Sequence, residues 1–143
     1  MKGMISVCLP FGLEPSMLPG SGCKLMIYNS CTVEGNTTKV KLEEVKTVPA
    51  GVPCFIQLDA ESENKDWTIE VNTSVLKSTV VNPDGGKAGI YGTFSTVTTG
   101  EGRYKLNADG TALLKTTSSS HCYPYRAYLV LPAGGSTKVS IGE

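Results

Sequence analysis

The chain has 143 residues, with thirteen Lys and Arg balanced by thirteen Asp and Glu, 40% hydrophobic and 18% charged residues, sixteen Gly and eight Pro. This length suits a single domain over 1–143 that can bury a core, and a charge content below the roughly 25% of an average globular protein, with many turn formers, favours short strands over long solvated helices. The neutral balance excludes the electrostatic footprint of a nucleic-acid binder, and no run approaches the ~20 apolar residues of a membrane span, so no membrane insertion is expected.

The first apolar run, Met4 to Leu9, is shorter than the h-region of a signal peptide and is closed by Pro10. No signal peptide is therefore expected in this chain, and a run starting so near residue 1 also fits a domain cut from a longer protein. Strand-like runs then recur at Cys23 to Tyr28, Lys39 to Val45, Cys54 to Leu58, Trp67 to Val71, Val75 to Val81, Ile90 to Val97, Arg103 to Leu106, Thr111 to Lys115, Tyr125 to Leu131 and Lys138 to Ile141. Several alternate apolar and polar residues with the period of a half-buried strand. Val40 to Val48 carries the helix-tolerant Glu43, Glu44 and Lys46, yet its β-branched residues argue for strand.

Turn chemistry separates the runs. Asp109-Gly110 accepts positive φ cheaply and marks a hairpin, while 82–86 forms a looser turn near the middle. Pro19, Pro49 and Pro132 each lead a turn relieved by a nearby glycine. The pattern predicts an all-β fold, a β-sandwich of roughly 9–11 short, mostly antiparallel strands. Long loops at Gly12 to Gly22, Ala60 to Asp66 and Asn82 to Gly89 interrupt up-and-down spacing and favour the sandwich over a barrel.

Five cysteines, Cys8, Cys23, Cys31, Cys54 and Cys122, are an odd number, so at least one is unpaired in a monomer. Most read as small buried hydrophobes. A Cys23–Cys31 disulfide could close a hairpin if the two ends face each other. Metal is not expected: there is no C-x-x-C pair, and His121 is the sole histidine. The acidic residues Asp59, Glu61, Glu63 and Asp66, or Asp84, could supply calcium oxygens, but the EF-hand spacing is missing.

Catalysis finds little support. A hydrolase would depend on His121 as base, with Ser118 to Ser120 or a cysteine as nucleophile, but there is no G-x-S-x-G elbow. Cys122 and His121 are sequence neighbours, which on a strand point to opposite faces. Glu43, Glu44, Glu61, Glu63 and Asp84 fall mostly at turns and edges, where carboxylates usually serve solvation, and no phosphate loop or cofactor motif occurs. The aromatic residues are the remaining handle: Trp67, Tyr91, Tyr104, Tyr123, Tyr125 and Tyr128, with Arg126, could form a platform for sugar rings if several face outward. Strand alternation would put Tyr123 and Tyr125 on one face, with Arg126 and Tyr128 on the other.

Three motifs carry a resemblance: Cys8-Leu9-Pro10-Phe11; Val48-Pro49-Ala50-Gly51-Val52-Pro53-Cys54-Phe55-Ile56; and a C-terminal run of Tyr91-Gly92-Thr93-Phe94, Arg103-Tyr104-Lys105-Leu106-Asn107 with Asp109-Gly110, and Tyr123-Pro124-Tyr125-Arg126-Ala127-Tyr128-Leu129. In this order the chain resembles the C-terminal β-domains of large secreted or surface proteins of Bacteroidales gut and oral bacteria, many with leucine-rich or immunoglobulin-like repeats upstream. The resemblance implies an extracellular or cell-surface location and a noncatalytic interaction or scaffolding module without a cofactor, its partner a protein or glycan at the cell surface. A carbohydrate-binding accessory module and a His121 hydrolase are the alternatives.

Overall fold

Cys54, Phe55 and Ile56 are three consecutive side chains that are all fully buried. On a strand they must point to opposite faces, so both faces of the sheet are covered at this point. In the computed structural model, which describes residues 3–34, 37–62, 66, 68–69, 76–83, 87–132 and 138–142, they form part of β4 (Cys54–Gln57). The other strands among the described residues are β1 (Met4–Val7), β2 (Lys24–Glu34), β3 (Thr37–Val45), β5 (Gly89–Thr93), β6 (Val97–Thr98), β7 (Tyr104–Leu106), β8 (Ala112–Lys115), β9 (His121–Cys122), β10 (Arg126–Val130) and β11 (Lys138–Gly142). The only helical element described is a 3-10 turn at Pro15–Met17. The protein is therefore all-β, as expected.

Nine strands form one sheet in the order β1-β4-β2-β3-β11-β8-β7-β10-β5, antiparallel throughout except for the parallel β3–β11 pair. β6 and β9 make a separate two-stranded ribbon. The large sheet curls so that its edges approach distant strands: β1 lies beside β10 and β7, and β5 beside β2. Hydrogen bonds fasten the β1 side, with the Cys8 N–H donating to the Tyr125 carbonyl at 2.9 Å and the Ala127 N–H to Ser6 Oγ at 3.2 Å. The result is a sandwich-like arrangement made by folding a single sheet.

The inner face carries the main core. Phe55, Val40, Leu113, Leu129 and Val139 are packed there with Met4, Met26, Ile90 and Ile141. The register explains the match, since Val40 lies opposite Ile141, Leu113 opposite Val139, and Leu129 opposite both Ile90 and Tyr104. A second cluster, with Val7, Leu13, Leu25, Val48, Cys54 and Ile56, lies on the outer face of β1, β4 and β2. Loops cover it: Leu13 and Val48 exchange backbone hydrogen bonds of 2.8 and 3.0 Å and tie two loops across the sheet. Burying each large side chain contributes about 1.5–3 kcal/mol.

The expected runs differ from the strands in several places: the run Cys23 to Tyr28 continues to Glu34 in β2, and β9 matches no expected run. Ile90 to Val97 divides into β5 and β6 because Thr93 Oγ1 donates to the Ser95 carbonyl and accepts from the Ser95 N–H, closing a bend. The described part of Val75 to Val81 is not a strand: Lys77 N–H donates to the Pro10 carbonyl and Val81 N–H to the Gly51 carbonyl, single bonds to loop backbone that build no ladder. Of Trp67 to Val71 only Thr68 and Ile69 are described, neither in a strand, and Trp67 lies outside the described residues. The hairpin expected at Asp109-Gly110 is present and joins β7 to β8.

The Cys23–Cys31 pairing is corrected. Cys23 immediately precedes β2 and Cys31 lies within it, so the same extended strand separates them by on the order of 25 Å. That exceeds the span of a disulfide several-fold, and all five cysteines are free thiols.

Candidate functional site

The aromatic residues named from sequence divide among three places. Tyr104 turns inward from β7 and is 3% exposed, part of the main core, so it adds nothing to an outer surface. Burial, with a smaller contribution from Cys31, raises its phenol above the ordinary range. Tyr91 and Tyr128 are register partners on β5 and β10, their rings stacked with centroids 5.9 Å apart. The Tyr91 hydroxyl donates to the Lys87 carbonyl at 2.8 Å, which fixes that pair as a half-buried facing of the sheet.

Tyr123 and Tyr125 are the exposed members, at 61% and 48%. The expected alternation fails for them because both precede β10 and lie in a turn. Tyr125 has φ 64°, the left-handed region that a bulky side chain enters at a cost of about 1–2 kcal/mol. Its backbone is held at both polar groups: the N–H donates to the Thr93 carbonyl at 2.8 Å, and the carbonyl accepts from the Cys8 N–H. The turn thereby aims the Tyr125 ring outward, against Phe94 at 5.9 Å between centroids. Arg126 and Tyr128 share the opposite face of β10 from the buried Ala127 and Leu129.

This turn forms one wall of a cleft of about 1180 Å³ beside β1. Ile5, Leu9 and Phe11 contribute apolar lining, with Ala108 and Asp109 of the β7–β8 hairpin and Tyr125 and Arg126 at the turn into β10 also lining it. Through Met4, Ile5, Ala108 and Arg126 it continues into a smaller pocket of about 300 Å³ that includes Lys105 and Tyr123. Sequence reading named Tyr123, Tyr125 and Arg126 but missed Ile5 and Phe11. They are remote in the chain, and only curling of the sheet brings β1 against the start of β10.

Among the described residues the groups considered for catalysis or metal binding are not brought together. Among the described residues the exposed His121 side chain makes no hydrogen bond to a hydroxyl, thiol or carboxylate, while Thr117, Ser119 and Ser120 hydrogen-bond one another. Burial pushes the Cys8 thiol up to about 11 and the Cys54 thiol up to about 12, and it raises Cys122 against the opposing pull of Lys105 and Arg126. Protonated thiols are poor nucleophiles. Asp59 is a structural link: its carboxylate accepts from the Gly22 N–H at 3.0 Å and the Ser62 N–H at 2.9 Å. Among the described residues no three His, Cys, Asp or Glu side chains gather as a metal-binding group; Glu63 and Asp84 lie outside them. No helix among them is long and apolar enough to cross a membrane.

The fold and cleft together define an all-β module with an open, aromatic-edged groove. Comparison of the chain with protein-family models, with characterised proteins and with solved structures finds no match.

Proposed function

We propose that the protein is a noncatalytic interaction module of a bacterial surface or secreted protein, and that it engages its partner in the cleft beside β1. Carbohydrate is the partner class favoured by the site. The observation that carries this reading is the exposed Tyr125 lining a cleft with Ile5, Leu9 and Phe11, while the exposed Tyr123 lines the smaller pocket that shares Arg126 with it. Such rings offer an apolar body to the faces of sugars and a polar tip to their hydroxyls. The strained Tyr125 backbone supports the same reading, because strain of this kind concentrates at sites where a side chain must be aimed.

The test is a thermal-shift screen against host and dietary saccharides. A ligand specific for the folded state, at ~100 times its Kd, adds about 2.7 kcal/mol, or roughly 5–10 °C for a domain of this size. Tyr125→Ala should abolish the shift. If no saccharide shifts the midpoint, the carbohydrate reading fails and a protein partner takes its place.

A further inference from the structure

The smaller pocket differs in charge from the cleft it adjoins. Asp66 and Asp109 line the larger cleft together with Arg126, whereas the pocket of about 300 Å³ shares Arg126, adds Lys105 and has no carboxylate. Both cations are held by neutral groups. Lys105 Nζ donates to the His121 carbonyl at 2.7 Å and lies 5.9 Å from the centroid of the Tyr123 ring. The Arg126 guanidinium donates to the Ser6 carbonyl at 3.2 Å. Among the described residues neither forms an ion pair, so two positive charges converge on one recess without compensation. They come from different strands, β7 and β10, whose backbones are fixed by the sheet. Arg126 keeps further N–H donors in a planar fork suited to an oxyanion, and Lys105 adds a point charge.

Resting on the interaction-module reading above, the geometry points to this pocket as a subsite for an acidic saccharide unit, with a sugar carboxylate or sulfate between Lys105 and Arg126 and the ring against Tyr123. The volume lies at the lower end of small-ligand pockets and suits one sugar ring. The Tyr125 cleft next to it would take neighbouring, uncharged units of the same chain.

Calorimetry with the intact protein tests this, using galacturonic acid, its methyl ester, and a sulfated disaccharide with its desulfated counterpart. The acid should bind about tenfold more tightly than the ester, and Lys105→Gln and Arg126→Gln should each remove about that factor, the value of one charge-assisted hydrogen bond. Raising the salt should weaken the acid and leave the ester unchanged. Arg126→Lys keeps the charge and should retain part of the affinity, which separates charge from folding, as does an unchanged circular dichroism spectrum for each variant. The two acidic probes distinguish a carboxylate from a sulfate site. Equal binding of acid and ester, or variants that bind the acid like the parent, would overturn the acidic subsite while leaving the module reading intact. If none of the four saccharides binds, the acidic subsite is refuted, while the module reading is decided separately by the wider saccharide screen.

Discussion

Two glycines with nearly the same backbone conformation allow the closure of the sheet to be measured. Gly100 has φ 76° and Gly110 φ 71°. A Cβ on Gly100 would meet nothing within 4 Å, whereas one on Gly110 would fall on the backbone carbonyl oxygen and amide nitrogen of Met4. That contact is functional geometry, because the Met4 N–H donates to the Gly110 carbonyl at 2.9 Å and fastens β1 to the β7–β8 hairpin that walls the cleft. Gly100→Ala should therefore show only the conformational cost, about 1–2 kcal/mol. Gly110→Ala carries the same cost plus that of overpacking against backbone, about 1–3 kcal/mol more. Urea denaturation gives both values, and the difference should appear as an extra loss of at least roughly 2–4 °C in Tm. Hydrogen exchange at the Met4 amide should accelerate only in the Gly110 variant. Equal destabilisation by the two substitutions, or unchanged Met4 protection, would refute the claim that this close approach holds β1 in place.

Other consequences are open to measurement. Phe55→Ala should cost about 3–5 kcal/mol in chemical denaturation, since it empties a fully buried position of the inner core. Asn82 donates to and accepts from the Gly92 backbone at 3.3 and 2.8 Å, covering the free edge of β5. Asn82→Ala should lower stability by about 1–2 kcal/mol, and light scattering should detect self-association through the bared edge. Thiol labelling of the native protein at neutral pH should modify the half-buried Cys31 well before Cys8, Cys54 and Cys122, whose burial keeps them protonated and covered. Hydrogen bonds from Ser62 and Gly22 hold the Asp59 carboxyl below its ordinary value, so its contribution is present above the unfolded value and fades as the pH falls through the folded one. The stability of Asp59→Asn should accordingly fall less on acidification than that of the parent.

The class of fold was legible in the sequence because period-two burial is a local property of a strand. Cys54-Phe55-Ile56, Val40 with Leu42, and Asp109-Gly110 each reveal their role through side-chain size, alternation or turn chemistry within a few residues. Short elements left no such trace: β9 is only His121–Cys122, too brief for a period, and exists because β6 lies opposite. Apolar residues in 76–81 imitate a strand, yet their backbone partners are loops that only tertiary packing supplies.

The site follows the same division. Exposed tyrosines beside an arginine could be named from residue types alone, but which of them share a surface could not. Tyr104 goes inward with the register of β7, Tyr91 and Tyr128 face each other across β5 and β10, and Tyr125 is turned out by a left-handed backbone held from Thr93 and Cys8. The recess between Lys105 and Arg126 exists only because the sheet curls until β1 meets β10. Local sequence sets which residues can form strands and turns, because those preferences act over neighbouring bonds. The cleft and its charge depend on contacts between residues more than a hundred positions apart, such as Ser6 with Arg126, and those are decided by the folded sheet.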